Sequence, residues 1–144
     1  MIVHAGLIAL LGASGWRGVL VEGPSGAGKS DLALRALDLG FRLVADDRAE
    51  LWRSGGRLFG RAPDALAGLI EVRGLGVVRE PALAFAEVAL LVRSGTPERL
   101  PEAASVSMLG VTIPLMVVDC LEASAPAKIR RALHVFDAGF KKRI

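Results

Sequence analysis

The sequence predicts an α/β fold in which a mixed β-sheet is flanked by helices. Apolar segments of strand length alternate with amphipathic segments of helix length along the chain. Two pairs of strand segments are separated by short glycine-containing turns, which predicts hairpins and therefore a sheet that is not purely parallel. Hydrophobic residues make up 52% of the 144 residues, so we expect residues 1–144 to form a single domain with a substantial core.

The first half of the chain predicts two hairpins with one helix between them. The helix is expected over residues 30–40, where Gly40 supplies the C-terminal stop. Its polar face carries Asp31, Arg35 and Asp38, and the remaining positions are mainly leucine and alanine. Strands are expected over residues 2–12, 17–23, 41–47, 49–53 and 57–62.

The second half predicts two strands and closes with a helix. A short helix is expected over residues 63–70, strands over 88–95 and 111–119, and an amphipathic helix over 124–137. Residues 71–78, "EVRGLGVV", contain a Gly-x-Gly sequence. By itself that sequence indicates a tight turn or a β-bulge at least as well as close contact with a ligand.

Composition excludes several classes of protein. A net charge of +3 with 5% aromatic residues and no tyrosine does not provide the aromatic-lined basic groove of a nucleic-acid-binding protein. No apolar run reaches the ~20 residues of a membrane span, so we expect no membrane association. The single cysteine, Cys120, excludes an internal disulfide and fits a reducing cytoplasm, with its side chain buried as a small apolar group.

One loop carries a complete phosphate-binding motif. The sequence "GPSGAGKS" matches G-x-x-x-x-G-K-[ST] and lies between a predicted strand and a predicted helix. In this context backbone N–H groups converge on a polyphosphate, Lys29 bridges the β- and γ-phosphates, and the Ser30 hydroxyl coordinates Mg²⁺. The alternative is a glycine turn that happens to hold a lysine. The motif residues are Gly23, Pro24, Ser25, Gly26, Ala27, Gly28, Lys29 and Ser30.

Two acids follow the next strand. Asp46 and Asp47 end "LVADD", and because consecutive strand residues point to opposite faces, only one of them should face the phosphates easily. A carboxylate there can hold Mg²⁺ through water or accept a proton from an attacking hydroxyl. A solvated turn capped by aspartate is the plainer alternative. Glu71, at the end of another apolar stretch, is a candidate second metal ligand.

Taken together, the motifs resemble the catalytic domain of bacterial HPr kinase/phosphorylase, which phosphorylates a serine of HPr, a phosphocarrier of the sugar phosphotransferase system. The matching segments are "GPSGAGKS", "FRLVADD" and "IEVRGLGVV", and the third is similar to a signature peculiar to that family. "VHAG" resembles the start of the family's catalytic domain. The resemblance extends from His4 to about Val78.

The resemblance implies a role for each matched residue. Lys29 would bind the phosphates of ATP, and Ser30 with Glu71 would hold Mg²⁺. Asp47 would be the base that takes the proton of the target serine, and Asp46 would assist beside it. His4 matches the family's active-site histidine, with a surface histidine as the alternative. The resemblance also implies a homo-oligomer, a hexamer.

The chain departs from the family pattern in two respects. The sequence opens almost directly on the segment that resembles the catalytic domain, so by resemblance we expect the short alphaproteobacterial type, which lacks the usual N-terminal domain. Met116 stands near the arginine expected in the phosphorolysis machinery, so the reverse reaction is the less supported half. Positive charge could come instead from Lys128, Arg130 or Arg131, whereas His134 is expected to be structural.

Two other functions remain open from the sequence. One is a kinase for a metabolite hydroxyl, which the phosphate loop and the acids would serve equally well. The other is a non-catalytic nucleotide sensor whose closing helix docks a partner. The sequence also leaves open the allosteric regulators and which HPr-type protein is phosphorylated.

Overall fold

The computed structural model describes residues 1–138. The helices are α1 (Lys29–Leu37) and α2 (Ala125–Ala138), with a single 3-10 turn at Asp64–Leu66. Neither helix in this range is long and apolar enough to cross a membrane. The strands are β1 (Ile2–Val3), β2 (Ala5–Gly12), β3 (Gly15–Glu22), β4 (Arg42–Ala45), β5 (Ala49–Ser54), β6 (Arg57–Arg61), β7 (Leu69–Val72), β8 (Gly76–Arg79), β9 (Ala86–Ser94), β10 (Ala104–Met108) and β11 (Val111–Val118).

Nine of these strands form one curled, mixed sheet, which confirms the predicted fold class. Its main path runs β1-β5-β6-β9-β3-β2-β4, and β11 with β10 branches from the second half of β9. The pairs β3–β9 and β9–β11 are parallel, whereas the hairpins and the remaining pairs are antiparallel. Strands β7 and β8 form a separate two-stranded sheet.

The core consists of two apolar layers, one on each face of the sheet. Strand β2 alternates between them, since Ile8 belongs to the layer under the helices and Leu7 to the opposite layer. Both α1 and α2 pack on the same face, through side chains such as Leu32 and Ile129, each with no exposed surface. The other face is closed by the curl of the sheet itself, with Leu51 of β5 buried there.

The predicted hairpins are present. Gly12 and Gly15 form the last pair of the β2–β3 ladder, and the two residues between them make the turn. Strands β5 and β6 join through Gly55 and Gly56, with φ values of 57° and 75°. Two consecutive positive φ values match the right-handed twist of paired strands, and glycine adopts them without steric cost.

Four segments differ from the sequence prediction. The helix expected over residues 63–70 is only a 3-10 turn, because Gly68 reverses the chain at φ 72° and Leu69–Val72 continues as strand β7. The strand expected over residues 2–12 divides at His4, so that β1 pairs with β5 and β2 with β3 and β4.

The other two differences are strands where none was expected. Strand β8 (Gly76–Arg79) pairs with β7, and strand β10 lies at Ala104–Met108. Strand β10 pairs with β11 through a two-residue turn at Leu109 and Gly110, with φ values of 51° and 78°. Asn-Gly or Asp-Gly is the sequence pattern that indicates such a turn. Here leucine occupies the first position, so the pattern is absent.

Candidate functional site

The candidate site lies at the edge of the sheet where β3 and β4 end and β2 begins. In the antiparallel ladders Ala5 pairs with Glu22, and Leu7 pairs with Ala45. Because β2 lies between β3 and β4 in the sheet, its start lies between the end of β3, which Gly23 follows, and the end of β4, which the two acids follow. The fold thus brings together three motifs that are separated in the sequence.

The loop after β3 is closed by its own lysine. Lys29 Nζ donates to the carbonyl oxygen of Gly23 at 2.6 Å and to that of Pro24 at 3.1 Å, while Ala27 N–H donates to Pro24 at 3.1 Å. Helix α1 begins at Lys29, and the N-cap residue Gly28 contributes no capping side chain. The partial positive charge of the helix N-terminus and its first N–H groups therefore face the loop, where an anion binds favourably.

Two glycines of this loop have structural reasons of their own, packing at Gly23 and backbone conformation at Gly28. A Cβ atom built on Gly23 would lie 2.7 Å from Cβ of Ser94, which ends β9. A Cβ built on Gly28, which has φ of +94°, would lie 2.5 Å from Cδ2 of Leu121. We expected these glycines to allow the approach of a phosphate; the contact of Gly23 with Ser94 and the left-handed backbone of Gly28 are additional reasons for them.

Asp46 connects the phosphate loop to the hairpin β7–β8. Its Oδ1 accepts a hydrogen bond from Ser30 Oγ at 2.8 Å, and its Oδ2 accepts one from the backbone N–H of Glu71 at 2.9 Å. Each carboxylate oxygen of Asp46 thus accepts one hydrogen bond, Oδ1 from helix α1 and Oδ2 from strand β7. The carboxylate thereby holds the first turn of α1 and the start of the hairpin in a common position.

Asp47 has different surroundings from its neighbour. Its side chain is 69% exposed, and its nearest ion-pair partner is Arg48, with Oδ2 3.8 Å from Nε. The backbone of Asp47 has φ of 67°, a left-handed conformation that non-glycine residues adopt rarely and that often marks functional positions. Of the two acids, Asp46 contacts the phosphate loop; both follow the end of β4 at Ala45, so the alternation of strand side chains does not apply to them.

The oxygen ligands near Ser30 are suited to Mg²⁺ but do not form a complete cage. Within residues 1–138 no three side chains of histidine, cysteine, aspartate or glutamate come together as a metal site. Glu71 is exposed on β7. Mg²⁺ usually takes one or two protein oxygens and completes its shell with phosphate oxygens and water, so a hydroxyl beside a carboxylate fits that ion.

The remaining candidates lie in contrasting positions. His4 is exposed in the bend between β1 and β2, and His134 is exposed on α2. Cys120 is fully buried, and burial raises the pKa of its thiol, which keeps it protonated as expected of an apolar side chain. Met116 packs against the core beneath the helices.

The alternative cations of the last helix have partners elsewhere. Lys128 Nζ lies 2.6 Å from Glu122 Oε2, and Arg130 donates to the carbonyl oxygen of Leu39, beyond the end of α1. Arg131 donates to the carbonyl of Ala127 within its own helix.

One part of the site was missed by sequence reasoning. Residues 119–122, which follow β11, lie against the phosphate loop and are held there by Arg35 of α1. The Arg35 guanidinium donates to the carbonyl oxygens of Cys120 and of Glu122, the latter at 2.8 Å, and its Nε bonds Asp31. The sequence predicted Arg35 only to lie on the polar face of the helix. Nothing in the local sequence indicates a hydrogen-bond partner some 85 residues away.

A strand, a glycine-rich loop and a helix N-terminus, with a lysine closing the loop and a serine bound to an aspartate, define a P-loop phosphate-binding protein. The sequence profile of the HPr serine kinase C-terminal domain matches residues 1–84. This match covers more than half of the chain, which therefore belongs to that family.

The comparisons also identify individual relatives. The chain is 46% identical over 66 residues to an HPr kinase/phosphorylase of Clostridium tetani, covering 46% of this chain and 22% of that protein. It is 40% identical over 81 residues to the one of Clostridium acetobutylicum, covering 56% and 25%. The chain thus spans about a quarter of the length of these curated relatives.

A solved structure extends the similarity of fold to nearly the whole chain. The Hpr(Ser) kinase/phosphatase from Coxiella burnetii superposes with a TM-score of 0.81 at 23% sequence identity, covering 98% of this chain and 99% of that one. The segments after β8, where the sequence resemblance fades, therefore follow the same fold.

Proposed function

We propose that this chain is an ATP- and Mg²⁺-dependent protein serine kinase whose substrate is an HPr-type phosphocarrier protein. The observation that carries the proposal is the contact of Ser30 with Asp46, beside an exposed Asp47, in a member of the HPr kinase family. The names of the curated relatives support the same substrate. In this proposal residues 1–144 act as a single kinase domain.

The phosphate loop would bind the triphosphate. Backbone N–H groups of residues 23–30 and the N-terminus of α1 would stabilise its negative charge, and Lys29 would exchange its bonds to loop carbonyls for bonds to phosphate oxygens. Mg²⁺ held by Ser30 and Glu71 would neutralise charge between the β- and γ-phosphates. Asp46, which already binds Ser30 Oγ, would keep that hydroxyl in place.

Asp47 would act on the protein substrate. A new bond forms between the serine oxygen and the γ-phosphorus, the bond from that phosphorus to the β–γ bridging oxygen breaks, and Asp47 accepts the serine proton. The 69% exposure of Asp47 supports this role, because a serine carried on a second protein must reach it from solvent. His4, exposed at the start of β2, would assist at the same edge.

The same residues also support the reverse reaction. Phosphorolysis would use inorganic phosphate in the loop to attack phosphoserine, with Asp47 returning the proton to the serine oxygen and pyrophosphate as the product. This half of the proposal has less support, because Met116 packs against the core and the neighbouring cations of α2 have other partners.

We further propose a cytoplasmic homo-oligomer, a hexamer by resemblance, that acts without nucleic acid or membrane. An aromatic cluster on the sheet supports self-association. The Trp52 ring lies 5.8 Å from that of Phe59 and 6.0 Å from that of Phe85, which is 54% exposed. Exposed aromatic groups of this kind are enriched at protein interfaces.

The test is mass spectrometry of purified HPr-type proteins from the same organism after incubation with the chain, Mg²⁺ and ATP. One phosphate should appear on a serine of one of them. Lys29→Ala should lose both nucleotide binding and transfer, because the loop then lacks its cation. Phosphate on a small hydroxyl compound instead, or ATP binding with no acceptor at all, would contradict the proposal.

Phosphoserine-HPr incubated with inorganic phosphate tests the reverse reaction through pyrophosphate release.

A further inference from the structure

Leu121 is an exposed apolar side chain at the border of the phosphate loop. It is 67% exposed, yet its Cδ2 lies so close to Gly28 that a Cβ on this glycine would be only 2.5 Å away. Gly28 is the N-cap residue, immediately before the first residue of helix α1. The leucine therefore presents most of its surface to solvent immediately beside the place where phosphates would bind.

The loop that carries Leu121 is fixed at several points. Asp119 Oδ1 accepts a hydrogen bond from the Leu121 N–H at 3.0 Å. Arg35 binds the carbonyl oxygens on both sides of Leu121, those of Cys120 and Glu122. The buried Cys120 side chain anchors the loop in the core beneath the helices. An exposed leucine held this firmly forms a preorganised apolar surface rather than a side chain left over from packing.

Two geometric facts give a bound nucleotide a direction. Gly28, the N-cap residue in a left-handed conformation, and Ser30, in the first turn of α1, have neighbours from different parts of the chain. Ser30 faces Asp46, and Gly28 faces Leu121. The strand order agrees with this, since β4 with the acids lies on one side of β3 and β11 with Leu121 lies on the other.

We propose that residues 119–122, with Leu121 at their centre, form the nucleoside subsite. The terminal phosphate lies on the side of the acids, so the nucleoside at the other end of the same triphosphate packs against Leu121. The contact is apolar, because the carboxylates of Asp119 and Glu122 already bind Leu121 N–H and Lys128. This inference rests on the proposed function, since it requires a nucleotide in the loop.

The test compares ligands with and without a nucleoside. Calorimetric titration of Leu121→Ala with ATP should show binding weakened by about tenfold, because the truncation removes roughly two methylene-sized apolar contacts. Binding of inorganic tripolyphosphate, which has no nucleoside, should stay within about twofold of that of the unmodified chain. Leu121→Met, which keeps a long apolar side chain, should restore most of the ATP affinity.

Leu39→Ala is the matched control, because Leu39 is 50% exposed just beyond the other end of α1. It should leave the affinity for both ligands unchanged. Equal losses of ATP and tripolyphosphate binding in Leu121→Ala, or no loss of ATP binding, would overturn the nucleoside subsite alone. If the unmodified chain binds neither ligand, the proposed function fails and this inference fails with it.

Discussion

At the scale of single residues, two adjacent aspartates of identical chemistry occupy different surroundings. Asp46 directs both carboxylate oxygens to donors of its own chain, Ser30 Oγ and the N–H of Glu71. Asp47, one residue later, turns into solvent through a left-handed backbone conformation. A carboxylate with two internal donors is suited to positioning, whereas an exposed one remains available to an external hydroxyl.

The first prediction follows from this difference. Asp47→Asn should retain ATP binding, because Asp47 makes no contact with residues 23–30 among the hydrogen bonds and ion pairs of residues 1–138. Transfer of phosphate to the HPr-type protein should fall by ~10²–10⁴-fold, the usual contribution of a general base. Calorimetric titration with ATP and a single-turnover transfer assay measure the two effects separately.

Asp64→Asn, on the exposed 3-10 turn, is the control and should behave as the unmodified chain. Near-normal transfer by Asp47→Asn would remove Asp47 from the mechanism. A parallel loss of ATP affinity would instead indicate that Asp47 acts on the nucleotide.

At the scale of elements, hairpin β7–β8 is tied to the rest of the site through Asp46. The hairpin forms its own two-stranded sheet, outside the nine-stranded one. Its tip is open to solvent, with Leu75 73% exposed. The bond from Glu71 N–H to Asp46 therefore links the hairpin to the first turn of α1, in addition to the packing of Ile70 in the core.

The second prediction tests this link. Asp46→Ala should accelerate hydrogen exchange of the Glu71 amide by about fivefold, because it removes a hydrogen bond worth roughly 1 kcal/mol. Amide exchange followed by nuclear magnetic resonance measures the rate. Asp47→Ala is the matched control and should leave the Glu71 rate unchanged, and an unchanged rate in Asp46→Ala would show that other contacts hold the hairpin.

At the scale of the whole molecule, Glu87 joins three neighbouring strands where the sheet curls. From the start of β9 it binds Arg17 of β3 at 3.3 Å and Arg57 of β6 at 2.6 Å. The pKa of Glu87 is lowered, chiefly by the hydrogen bond from Arg57 and further by the charges of both arginines, against the opposing effect of burial. The ionised carboxylate is therefore the form that the fold favours.

The third prediction is the pH dependence of this contact. Because the pKa in the folded state is below its value in the unfolded chain, ~4.3, the contribution of Glu87 is fully present above that pH and is lost as the pH falls towards the folded-state pKa. Glu87→Gln should lower the thermal midpoint by about 3 °C at pH 7, and the difference should shrink below pH ~4.

Thermal unfolding followed by circular dichroism between pH 7 and pH 3 measures this effect. Glu98→Gln, an exposed glutamate in the segment after β9, is the control and should match the unmodified chain at every pH. A difference between Glu87→Gln and the unmodified chain that stays constant across this range would mean that the lost stability does not come from the charge of Glu87.

The local sequence was sufficient to predict much of the fold. Apolar segments of strand length predicted most strands, Gly55 and Gly56 predicted a hairpin turn, and "GPSGAGKS" between a strand and a helix predicted the phosphate loop. These signals were reliable because each depends on conformations and contacts within a few residues. Where a local signal was weak, as at Leu109 and Gly110, the strand before it was missed.

The tertiary structure alone decided which residues meet. It selected Asp46 rather than Asp47 as the partner of Ser30, placed both helices on one face, and brought Leu121 against Gly28. These contacts join residues from 16 to more than 90 positions apart, and they depend on strand order and on the curl of the sheet. Periodicity and motifs record how each segment folds, whereas the pairing of distant segments follows from burying all of their apolar faces at once.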